Sequence, residues 1–99
     1  MSFDTVGANI TQLGTLRQLF DQKAVEVDEL IRQVSAAVGT PGGQGAVHWE
    51  GQVAERFRQD WSSTFVPNLQ RVAEALRESA GYVERNRQNI SQALNGTVV

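Results

Sequence analysis

Before position 39, apolar residues advance in steps of three or four: Leu13, Leu16, Phe20, Ala24, Val27, Ile31, Val34 and Val38. This spacing predicts one stripe of an amphipathic α-helix, which Leu19 and Leu30 widen. Arg17, Asp21, Asp28 and Arg32 fall on the opposite face, open to water. The pattern breaks where Gly39, Pro41, Gly42, Gly43 and Gly45 crowd together with Thr40 and Gln44. No helix continues through such a stretch, because glycine costs about 1 kcal/mol and proline about 3 at an interior position. Beyond it the stripe resumes with Val53, Phe57, Trp61, Phe65, Leu69, Val72, Leu76, Ala80, Val83, Ile90 and Leu94, interrupted at Arg87.

Two helices are expected, over about residues 6–38 and 50–95, joined by a loop at 39–49 that leads into the turn Trp49-Glu50-Gly51. Asp4 or Thr5 offers an N-cap for the first, and Gly7 and Gly14 weaken its opening turns. Pro67 lies inside the second helix, where it removes one backbone hydrogen bond and predicts a kink near Ser63, not an end. Asn95 and Gly96 are the expected stop.

The fold class that follows is all-α: an antiparallel two-helix hairpin in a single domain spanning residues 1–99. A hairpin cannot surround its own apolar stripe, and both stripes are wide. Phe57, Trp61, Phe65 and Leu69 share one face at four-residue steps. Each gains about 1.5–3 kcal/mol on full burial, more than one hairpin partner can supply. The surplus predicts a dimer, closing into a four-helix bundle, with those four residues near the contact.

Composition narrows the function classes. The 99 residues suffice for one small domain, and a formal net charge of -2 gives no bulk attraction for nucleic acid or an acidic membrane. Cysteine is absent, which removes disulfides and thiolate metal sites. No run approaches the roughly 18 apolar residues of a membrane helix, so no stable span is expected. The opening Met1-Ser2-Phe3-Asp4-Thr5 lacks the basic start and apolar stretch of a cleavable signal peptide.

Beside the loop, the W-x-G triplet Trp49-Glu50-Gly51 stands near the midpoint of a chain of about a hundred residues, between two amphipathic helices. In this setting the chain resembles the WXG family, the early-secreted-antigen-like substrates of type VII (ESX) secretion systems in actinobacteria and other Gram-positive bacteria. The resemblance covers nearly the whole chain as pattern. The triplet fits a turn: Gly51 permits close backbone approach where the second helix starts. Trp49 either lays its indole over the bundle end as part of a recognised surface or simply plugs the open end of the hairpin.

The family's second element, Y-x-x-x-D/E, has its counterpart at Tyr82-Val83-Glu84-Arg85-Asn86, with Asn86 in place of the acid. Asparagine keeps the hydrogen-bonding oxygen and loses the charge, so the secretion signal is either altered or carried by a partner. Glu84, two residues on, faces away from Tyr82 on a helix. Further on, Ile90, Leu94 and Val98 recur at four-residue spacing near the free end. The resemblance implies that such a tail docks on a secretion ATPase; the plain reading is a helix end that packs on the bundle or frays. It also implies a homodimer or a pairing with a paralogous hairpin, export in the folded state from the bacterial cytoplasm, and no cofactor.

Catalytic chemistry finds little support. His48 is the only histidine, so neither a two-histidine metal site nor a His-activated nucleophile is available within one chain. Gly42-Gly43-Gln44-Gly45 lacks the lysine of a phosphate loop and reads as a flexible turn. Arg56, Arg58, Arg71, Arg77, Arg85 and Arg87 alternate with Glu55, Asp60, Glu74, Glu78 and Glu84, which predicts a mixed, solvated face and not a nucleic-acid surface. Two other readings stay open: a membrane-active, pore-forming helical protein, and a cytoplasmic structural or chaperone-like hairpin without export.

Overall fold

The computed structural model describes residues 9–98, the side chains of 94–98 excepted. Helix α1 spans Ile10–Val38 and α2 spans Gln52–Asp60. A π turn at Trp61–Phe65 then leads without a break into α3, Val66–Val98. The described residues are thus helical apart from Asn9 and the connection 39–51, the pattern of a helical hairpin.

The first helix starts later than the expected position 6. Asn9 is its cap, with Oδ1 accepting the Gln12 N–H at 3.1 Å. Asp4, Thr5 and Gly7 lie outside the described residues. At the other end, α3 continues through Asn95 and Gly96 to Val98. Pro67 interrupts the second helix's bonding without ending it. Its nitrogen carries no hydrogen, and the turn before it widens, so that the Val66 N–H reaches back five residues to the Trp61 carbonyl.

Two compact units divide the chain: one holds the stretch to Lys23 together with that from Ala75 on, the other Ala24–Glu74. In the second unit the Trp61 indole N–H donates to Ser35 Oγ at 2.9 Å, and Arg58 Nε donates to the Val38 carbonyl at 2.5 Å. Residue numbers fall on one helix as they rise on the other, so the two run antiparallel. In the first unit Arg17 Nε lies 3.3 Å from Glu84 Oε1 across the same kind of pairing.

Small side chains set the seam. Ala24 and Ala54 are fully buried, Ala73 and Ala80 nearly so, and no large side chain among the described residues is fully buried. The expected stripe is therefore turned by one position on the second helix. Val53 is 74% and Val72 48% exposed, while their neighbours Ala54 and Ala73 face α1. Successive helical residues point about 100° apart; alanine takes the contact because it lets the two backbones approach closely, and the larger neighbour is displaced outward.

Candidate functional site

The connection 39–51 is not a loose turn. The last four carbonyls of an α-helix have no partner within it, and here each finds one. Ser35 O accepts the Gly39 N–H at 2.9 Å, Ala36 O the Ala46 N–H at 2.8 Å, and Ala37 O the Val47 N–H at 3.0 Å. Val38 O takes the Arg58 guanidinium. Between these contacts Thr40–Gly43 closes a β-turn, with the Gly43 N–H on the Thr40 carbonyl at 2.9 Å, Pro41 second and Gly42 at φ 81° third, the type II pattern. Gly42 N–H is further tied to Glu55 Oε1 at 2.8 Å. The glycine-rich run is thus an ordered cap on α1, where composition alone reads a flexible turn.

Arg58 departs furthest from its sequence reading. It is 3% exposed, not part of a solvated face. Besides Val38 O it donates to the Trp49 carbonyl and, at 3.2 Å, to Gln44 Oε1, with Glu55 Oε2 at 3.7 Å. The last turn of α1 has no basic residue of its own, so this cation from α2 meets the negative end of the helix dipole.

In the W-x-G turn, Gly51 precedes α2 at φ 108°, a backbone state that residues with a Cβ avoid, and Glu55 N–H closes on its carbonyl at 3.0 Å. The space around its missing Cβ is empty, so conformation and not close approach calls for glycine. Trp49 is half-buried and begins a row of aromatic rings: Trp49 to Phe57 5.7 Å between centroids, Phe57 to Trp61 6.1 Å, Trp61 to Phe65 6.3 Å. His48 and Glu50 stand exposed, 3.6 Å apart. An open hollow of about 330 Å³ beside the turn is lined by Gly42, Gly43, Gln44, Glu50, Gly51 and Glu55, along with the fully engaged Arg58.

The four residues expected at a dimer contact are placed differently from one another. Trp61 is buried against α1 of its own hairpin, Phe57 and Leu69 are half-buried, and Phe65 is 43% exposed. In the unit Ala24–Glu74 the outward side chains of Leu30, Val53 and Val72 share a flank. Leu30 lies about 120° from Ala24 around α1, and Val53 and Val72 each about 100° from Ala54 and Ala73, all in the same rotational sense. On antiparallel helices the same sense means the same side of the pair. Ser35 and Arg58, about 20° from Ala24 and about 40° from Ala54, lie on the seam itself. Val25, 61% exposed, lies about 100° from Ala24 in the opposite sense.

In the other unit, Tyr82 is 64% exposed, and the Arg85 guanidinium lies over its ring, 4.9 Å from the centroid. Asn86 is exposed as well. Glu84 points inward, where Arg87 donates to both of its oxygens at 3.0 and 2.6 Å and Arg17 approaches from α1. The hydrogen bond from Arg87, followed by that from Gln88, holds its carboxyl down at about 2. Glu84 and Arg87 thus leave the solvated face assigned to them, while Arg71 stays exposed on it, bonded to Asn68. Ile90 is buried within this unit, while the Leu94 and Val98 side chains lie outside the described residues.

No helix among the described residues is long and apolar enough to cross a membrane, and no group of three acidic or histidine side chains among them gathers as a metal site would require. Set against protein-family models, curated proteins and solved structures, the chain matches none.

Proposed function

We propose that this chain is a small interaction protein, not an enzyme, that pairs through one apolar flank with a second helical hairpin to complete a four-helix bundle. The observation that carries this reading is the outward placement of large apolar side chains in the unit Ala24–Glu74: Leu30, Val53 and Val72, 45%, 74% and 48% exposed, stand on one flank, and Phe65 is 43% exposed. Large apolar side chains left outward on one flank mark an association surface. The alanine seam makes it a consequence of packing, since the residues that bring the helices together are not the ones with most to gain from burial.

In the biological setting we propose, the chain is a WXG-like substrate of a type VII secretion system, exported folded with its partner, an identical chain or a paralogous hairpin. The resemblance of the Trp49-Glu50-Gly51 turn and the Tyr82 element supports this. The exposure of Tyr82 suits direct recognition; of the expected tail set Ile90, Leu94 and Val98, Ile90 is buried in the hairpin, which leaves Leu94 and Val98 as the residues proposed to meet the secretion ATPase. The bundle is tested by light scattering on the purified chain and on a Phe65→Glu/Val72→Glu variant. Val72 stands outside the intramolecular seam and Phe65, at the end of the aromatic row beside Trp61, is 43% exposed, so the variant should stay helical while the native dimer becomes a monomer. A compact native monomer of the chain mass, 10.9 kDa, overturns the pairing. Export is tested separately with Tyr82→Ala in the native host: protein should persist in the cells and vanish from the medium. Undiminished export counts against the role of Tyr82.

A further inference from the structure

We propose that Arg58 is the positioning residue of the Trp49–Gly51 turn, holding it as a preformed surface. Its importance for recognition rests on the reading of that turn as a recognised element; its hold on the turn does not.

The geometry is specific to the turn. The backbone of Trp49 is held on both sides of its Cα by one constellation: its carbonyl accepts from the Arg58 guanidinium, and its N–H donates at 3.1 Å to Gln44 Oε1. That same Gln44 oxygen accepts from Arg58 at 3.2 Å. The guanidinium's Nε meanwhile reaches the Val38 carbonyl at 2.5 Å. A single planar fork thus joins the end of α1, the turn and α2, with the side chain almost wholly withdrawn from water. An ammonium group on a flexible stem cannot span that set of acceptors, because its donors radiate from one point. Neither motif residue can take over the task. Gly51 has no side chain, and the Trp49 ring touches Phe57 but leaves its own peptide groups free to turn. With the backbone pinned, Val47, His48 and Glu50 are held outward, 54% exposed for the valine and 78% and 70% for the side chains of the other two. A surface ordered in advance loses less entropy when a partner meets it.

Amide hydrogen exchange on the full chain tests this, comparing Arg58→Met, Arg58→Lys and Gln44→Ala with the native protein. Arg58→Met keeps the stem and removes every donor; the Ala46, Val47 and Trp49 amides should then exchange about ten-fold faster or more, with helix-interior amides at 24–34 and 68–76 unchanged. Arg58→Lys should recover only part of the protection. Gln44→Ala, at an exposed position, should release Trp49 alone. The proposal is overturned if Trp49 exchange in Arg58→Met stays within about two-fold of native. It is equally overturned if the helix interiors open together with the turn, which would make Arg58 a general core residue, or if lysine restores protection in full. Because the readout is local, a native chain found to be monomeric would defeat the pairing reading and leave this result standing.

Discussion

Glycine-to-alanine substitutions should change sign from site to site, and the structure decides the sign. Gly14 and Gly81 sit inside helices without positive φ, and a Cβ there would meet only Arg87 Cδ at 3.9 Å and Arg85 Nη1 at 3.6 Å, ordinary contacts with flexible side chains. Alanine at either position should stabilise by about 0.5–1 kcal/mol, chiefly by restricting the unfolded chain. Gly45 is the opposite case: a Cβ would stand 2.5 Å from the Gly39 nitrogen and closer still to the Ala37 carbonyl, both of them backbone. Relief requires peeling the loop from α1, which breaks the Ala46 and Val47 bonds to Ala36 and Ala37. At about 0.5–1.5 kcal/mol per bond the loss is roughly 1–3 kcal/mol. Gly51→Ala should also destabilise by about 1–3 kcal/mol, through φ alone, since nothing crowds the site. Urea unfolding followed by far-ultraviolet circular dichroism resolves these differences, at one protein concentration because association adds to apparent stability. A lower midpoint for Gly14→Ala or Gly81→Ala, or an unchanged one for Gly45→Ala, would refute the packing described for these helices and their cap.

Ser35→Ala strands the buried Trp61 N–H and should cost about 1–3 kcal/mol, while adding Trp61→Phe to it should cost less than the sum of the two single changes; a double-mutant cycle in urea measures the coupling. Glu84 is held at about 2 against an ordinary 4.5, chiefly by its hydrogen bond from Arg87. Because the folded value is the lower one, its contribution is complete above 4.5 and is lost as pH falls through about 2. Unfolding midpoints between pH 5 and 2 should therefore fall less steeply in Glu84→Gln than in the native chain, and equal slopes would contradict the Arg17–Glu84–Arg87 arrangement.

Much of this architecture is written in local pattern. The steps of three and four from Leu13 to Val38 and from Phe57 to Leu94 specify helices because that period alone keeps them on one face, and the crowd of glycine and proline at 39–45 specifies the break between them. The missing N–H of Pro67 likewise specifies a disturbance just before it, which takes the form of a π turn. Other features depend on contacts between residues far apart in the chain. Hydrophobicity ranks Val53 above Ala54 and Val72 above Ala73, yet the seam chooses the smaller member of each pair, because close approach of two backbones is a property of both helices at once. Arg58 looks like one more surface charge among alternating acids; only the arrival of the Val38 and Trp49 carbonyls at its side makes burial favourable. Glu84 is drawn inward for the same kind of reason, by Arg17 on the other helix. Periodicity reports how a residue stands relative to its own helix, and what that helix will meet is settled by the rest of the chain.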